Sequence, residues 1–159
     1  MGRFFLDCEF IEKPCSIELI SIGLVSEDNR ELYLESSDVD LSNVDPWLRD
    51  NVLPHLTGRG IPRTAIREAV ESFIGSGDPE FWAYCASYDW VVFCWLFGRM
   101  VDLPKHYPHH IKDFRQLMDD YRIRYKSLPK KQGKEHHALA DARWLRDCWQ
   151  WFMCGEHNK

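Results

Sequence analysis

The sequence predicts an α/β fold in which a mixed central sheet begins as a three-strand antiparallel meander, gains a further strand or strands, and is flanked by helices. Three observations predict it. Short apolar runs separated by turn residues occupy the first 36 positions. From residue 64 onward apolar side chains recur mainly at helical spacing. One strand-like run, 80–86, lies between two such helical patterns, which is the order of an α/β protein.

Arg3 to Phe10 starts with the apolar run Phe4-Phe5-Leu6 and ends in acids, as a buried strand with a polar C-terminal end does. Ile17 to Ser26 is a second strand, rich in Ile, Leu and Val. Glu27 to Arg30 has turn chemistry, and Glu31 to Ser36 reads as a third strand. Pro46, Pro54 and Pro62 punctuate a polar stretch with room for a short helix around Trp47 to Val52. Thr64 is the expected N-cap of a helix to Ile74, with Ile66, Ala69, Val70 and Phe73 on one face. Glu80 to Ala86 is the fourth strand, and Tyr88 to Phe97 a buried helix. Ile111, Phe114, Leu117, Met118 and Tyr121 form an amphipathic helix, and a last helix runs from Ala138 to Phe152. A meander followed by strand–helix units fits the ribonuclease H-like architecture.

At 159 residues and 45% hydrophobic, the chain is expected to form one domain over 1–159. The apolar run from Phe81 to Gly98 has Asp89 at its centre, a placement that costs roughly 2.5–3.5 kcal/mol on insertion scales, so a membrane span is not expected. Arg3 and Asp7 come too early for a secretion signal, and Leu6 stands where a myristoylation motif needs Ser or Thr. The expectation is a cytoplasmic protein whose six cysteines, none in a C-x-x-C pair, are reduced.

The net charge of −5 is uneven: residues 1–100 carry −9 and residues 101–159 carry +4. Arg122, Arg124, Lys126, Lys130, Lys131 and Lys134 follow one another with no acid before Glu135. Such a segment attracts a phosphate backbone locally despite the overall sign.

Three acidic motifs carry chemistry. In Asp7-Cys8-Glu9 the two carboxylates lie two apart on a strand and project to one face. Their mutual repulsion calls for a neutralising group, and hard carboxylate oxygens suit Mg²⁺ or Mn²⁺. Asp89 sits where a strand hands over to a helix, in very apolar surroundings. His136-His137-Ala138-Leu139-Ala140-Asp141 puts an acid in the first turn of the last helix, a His pair before it, and small residues that allow close approach.

Together these motifs resemble the DEDDh 3′→5′ exonuclease family: D-x-E at Asp7 and Glu9, a central Asp at Asp89, and H-x-A-x-x-D from His136 to Asp141. The segments 4–12 and 17–23 are similar to one branch, the small bacterial exoribonucleases described as polyadenylate-specific. The resemblance implies that Asp7, Glu9, Asp89 and Asp141 hold two Mg²⁺ or Mn²⁺ ions and that His136 is the general base. It also implies single-stranded RNA 3′ ends as substrate, 5′-nucleoside monophosphates as product, an adenylate preference and a homodimer. His137 competes for the role of base, because it lies four residues before Asp141, the spacing Tyr has in a related branch. Many family members have Thr where this chain has Phe10. Candidate substrate contacts are Phe10 as a stacking platform, Glu12 or Glu18 toward a 2′-hydroxyl, His137, and Lys130, Lys131 and Lys134 toward phosphates. The alternatives are a single-stranded-DNA exonuclease of the same fold, a non-catalytic nucleic-acid-binding domain, and a structural metal-binding protein.

Overall fold

The structure, a computed structural model, describes residues 2–133 and 135–155. Strands β1 (Gly2–Lys13), β2 (Ser16–Ser26) and β3 (Glu31–Glu35) form the expected meander. Cys15 and Asn29, in its two turns, both take positive φ. From Leu19 to Ser26 every residue of β2 is buried, the continuous pattern of a strand covered on both faces. Strand β4 (Pro79–Ala83) then pairs parallel to β1, and a two-residue strand β5 (Lys112–Asp113) pairs parallel to β4. The sheet order is β3-β2-β1-β4-β5.

Among the described residues there are five α-helices: α1 (Pro46–Asn51), α2 (Arg63–Ile74), α3 (Ser87–Phe97), α4 (Phe114–Asp120) and α5 (Ala138–Met153). Three sequence-based boundaries are corrected. Helix α2 starts before Thr64, with Pro62 at its N-cap; the Arg63 N–H is satisfied by the Asp38 carboxylate at 2.8 Å instead. Strand β4 stops at Ala83, because Cys85 takes φ 58° and turns the chain toward α3. The pattern from Ile111 is not all helix: Lys112–Asp113 is strand, and the Asp113 carboxylate accepts from the Arg115 N–H at 2.8 Å to cap α4.

Alternation along β1 feeds both faces of the sheet. Phe4, Leu6 and Cys8 pack with Ile66 and Val70 of α2 and Phe93 of α3. Phe5 packs on the other face with Met118 of α4 and Leu145 and Trp149 of α5. Helix α3 buries seven of its eleven residues, as a helix apolar on all sides must. A third, small cluster joins Ile11 and Ile20 to Leu48 and Val52. It exists because the β1–β2 register slips between Glu9 and Phe10, leaving Ile20 as the extra residue of a bulge. Among the described residues, no helix is long and apolar enough to cross a membrane.

Candidate active site

The site is built at the C-terminal half of β1. Pairing with β4 runs only from Gly2 to Phe5, so the two parallel strands part beyond that point. Asp89, in the first turn of α3, fills the parting: its Oδ1 accepts the Cys8 N–H at 2.8 Å. This lodges the Asp89 carboxylate beside the two acids that flank Cys8. The turn carrying it is tied down by Asp113, whose oxygens accept the N–H groups of Cys85 and Ala86 at 3.1 Å each.

The third motif arrives from the opposite face. Gly23 lies across from Asp7 in the β1–β2 register, and a Cβ placed there would sit 2.4 Å from the backbone of Ala138 and Leu139. Only glycine lets the start of α5 come that close, and the approach brings Asp141 over the end of β1. The Asp141 Oδ2 accepts the His136 N–H at 3.2 Å, while His136 takes φ 61°. One ligand atom each from Glu9, His136 and Asp141 lie within 4.8 Å of one another. The two carboxylates and one imidazole of that group form a donor set that fits a hard divalent cation.

Crowding these acids has an electrostatic cost. Burial, then Asp89, Glu9 and Asp141, push the Asp7 carboxyl well above its ordinary range. Burial, then Asp141 and Asp89, raise Glu9 to about 8. Burial raises Asp89 to about 7 against the opposing pull of the Cys8 N–H. The Lys131 ammonium works against the rise at both Asp7 and Glu9.

The two adjacent histidines have different surroundings. The His136 ring meets Trp47 edge-on, with centroids 4.6 Å apart. His137 is the N-cap of α5: its Nδ1 accepts the Ala140 N–H at 3.4 Å, and its ring stacks on Tyr33 at 4.5 Å. Tyr33 in turn donates to buried Glu35 at 2.9 Å. His137 thus has a structural job in seating α5.

The substrate candidates divide by position. Phe10, Glu12 and Trp47 line one open depression of about 500 Å³, and Trp47 also meets the His136 ring. Tyr88, 47% exposed, lies 5.8 Å from Phe10, ring to ring. Lys130 and Lys131 line a second depression, of about 380 Å³, with Tyr125, Pro129 and Trp144. Glu18 is not brought to the acids: it pairs with Lys13 at 2.7 Å and lines a separate hollow with Asp38 and Arg63. Lys134 lies outside the described residues. Trp90 and Trp144, which flank acids in the sequence, are both buried. Gly23, Trp47, Tyr33 and Asp113 are not singled out by sequence alone. Only Gly23 carries a signal, being a glycine inside a strand rich in Ile, Leu and Val.

Comparison with known proteins places this geometry in context. The family model described as a 3′-5′ exoribonuclease Rv2179c-like domain matches residues 2–153. The 3′-5′ exoribonuclease Rv2179c of Mycobacterium tuberculosis (strain ATCC 25618 / H37Rv) is 39% identical over 148 residues, covering 89% of this chain and 87% of that protein. The 3′-5′ exoribonuclease MT2234.1 of the strain CDC 1551 / Oshkosh matches to the same extent. Among solved structures, the zinc-bound complex of E. coli exonuclease I with single-stranded DNA gives a TM-score of 0.71 at 12% identity, over 98% of this chain and 41% of that one. A product-bound exonuclease I gives 0.64 at 10% identity, over 96% and 43%. This chain therefore spans about two-fifths of the exonuclease I chains, and at such identities the likeness is one of fold, the ribonuclease H-like exonuclease fold.

Proposed function

This chain belongs to the Rv2179c-like 3′-5′ exoribonuclease family, and from that membership together with its acid cluster we propose that it hydrolyses RNA from the 3′ end, one 5′-nucleotide at a time, with two Mg²⁺ or Mn²⁺ ions. The observation that carries the proposal is the convergence of Asp7, Glu9, Asp89, His136 and Asp141, from three distant segments, at the end of one strand.

The division of labour follows from the geometry. Asp7, Glu9, Asp89 and Asp141 would hold the ions, which supply a water of lowered pKa and positive charge for the phosphate oxygens. Four acids this close repel a polyanion by themselves, so the metal-free protein is expected to bind RNA poorly. His136 would accept the proton of the attacking water as general base, its ring lying within reach of Glu9 and Asp141. The edge of Trp47 against its ring restrains the imidazole. Phe10 and Trp47 would offer the terminal base a stacking surface, and Glu12, which lines the same depression, would meet a ribose hydroxyl. Lys130 meets the phosphates further along. An adenylate preference, a cytoplasmic location and a homodimer complete the proposal.

The test is a ladder assay on RNA labelled at either end, with Mn²⁺, Mg²⁺ or chelator, and matched DNA strands alongside. The 5′-labelled RNA is expected to shorten stepwise and the 3′-labelled RNA to release mononucleotide at once, both only with metal. Intact ends in the metal-loaded sample, or internal cuts, would refute the proposal. Faster loss of the DNA strands would move the substrate to single-stranded DNA.

A further inference from the structure

We infer that Lys131 is a built-in counter-cation of the acid cluster, competing with divalent metal for Asp141 and thereby setting how tightly the site takes its ions. The inference rests on the proposed metal-dependent reading and concerns a residue outside the acids and His136.

Helix α5 itself builds the lysine's berth. Asp141 and Trp144 are three residues apart, so they project from the same helical face. The Trp144 indole N–H donates to the Pro129 carbonyl at 2.9 Å, which anchors the loop two residues before Lys131. The Lys131 ammonium then lies 5.2 Å from the centroid of the Trp144 ring and 2.5 Å from the Asp141 Oδ1. Its side chain is only 19% exposed and that of Asp141 12%. A lysine held on an aromatic face and a half-enclosed carboxylate is not a solvated surface charge.

The position matters more than the contact. Asp141 is one of the three residues whose ligand atoms converge within 4.8 Å, so the ammonium lies against the same carboxylate a divalent ion would use. The charge of Lys131 also opposes the mutual repulsion of Asp7 and Glu9. A monovalent ammonium and a divalent ion a few ångströms apart repel, and the partly buried setting screens them less than bulk water would. Lys131 therefore steadies the metal-free cluster and must yield, in position or in energy, when metal arrives.

Calorimetric titration with Mn²⁺ tests this without reference to turnover. Lys131→Met is expected to bind Mn²⁺ about tenfold more tightly than the parent, the scale of one removed charge near a partly buried site. Lys131→Arg should stay near the parent value. The metal-free Lys131→Met protein should melt lower than the parent, and saturating Mn²⁺ should close that gap. Lys131→Gln serves as a second neutral variant should the methionine protein lose its far-ultraviolet dichroism. Equal or weaker Mn²⁺ binding by the folded neutral variant would overturn the inference while leaving the proposed function standing. Absence of Mn²⁺ binding by the parent would overturn both.

Discussion

On one side of the acid cluster, Trp47 rides on a short helix that Leu48 and Val52 pin to Ile11 and Ile20. On the other side, Lys131 hangs from a loop held by one indole N–H bond, one buried leucine and one ion pair. The first flank is seated by packing, and the second adds the exposed ammonium of Lys130 next to Lys131. Packing does not fade with ionic strength. Interactions between exposed charges do, over a screening length of about 10 Å at 0.1 M salt. Half of the substrate-facing surface should therefore be indifferent to salt and half sensitive to it, with the acids and His136 between them. On the proposed reading, the site would separate its grip on a base from its grip on a backbone.

The largest expected effect comes from breaking the centre that both flanks serve. His136→Ala should reduce turnover by roughly 10²- to 10⁴-fold, the usual contribution of a general base. His137→Ala should leave most turnover intact and instead cost about 1 kcal/mol of stability through the lost helix cap. Single-turnover hydrolysis and thermal melts of the two variants check the contrast, and the reverse ranking would move the base to His137.

Trp47→Ala should weaken RNA binding by about 1–3 kcal/mol, the range for one stacked base, by about the same amount at low and high salt. A loss that shrinks at high salt would show that Trp47 acts through charge and not stacking. Because its ring also borders His136, some fall in turnover is expected beside the rise in KM.

The third effect is measured in the absence of RNA. Glu9 at about 8 and Asp89 at about 7, both raised first by burial, bind more protons in the folded chain than in the unfolded one from about pH 5 to pH 8. Their contribution to stability is therefore full below that window and is lost as pH rises through it. The metal-free protein should melt progressively lower across it. Glu9→Gln should show a shallower decline, and Mn²⁺ should abolish it by replacing the protons with cations. Parallel profiles for the parent and Glu9→Gln would show that Glu9 does not carry the excess proton.

The smallest effect belongs to Lys130, on the charged flank. Lys130→Ala should weaken binding nearly equally for all sequences and reduce the slope of log affinity against log salt by about one. An unchanged slope would remove Lys130 from the phosphate path.

Much of this site is legible in the order of residues alone. Asp7 and Glu9 share a face because strand residues alternate. Asp89 falls in a first helical turn because an apolar strand hands over to an apolar helix. The spacing from His136 to Asp141 places an acid at the start of α5. The features that escape such a reading depend on partners distant in the chain. The two residues of β5 are too few to show alternation, and they form a strand only because β4 lies alongside. Thr64 looks like a cap, but Asp38, 25 residues before Arg63, supplies the bond to the Arg63 N–H. Trp47 reads as one more aromatic until the bulge at Ile20 seats its helix beside His136.

The class of fold and the candidacy of the acids and the histidine pair are readable in the amino-acid order, because periodicity and residue type are local properties. Only the folded chain shows which histidine caps a helix and which comes near Glu9, which of Glu12 and Glu18 shares a hollow with Phe10 and Trp47, and that Lys131 leans on Asp141. Those outcomes turn on close approach between segments far apart in the chain, as where Gly23 admits the start of α5, and no local pattern records such a distance.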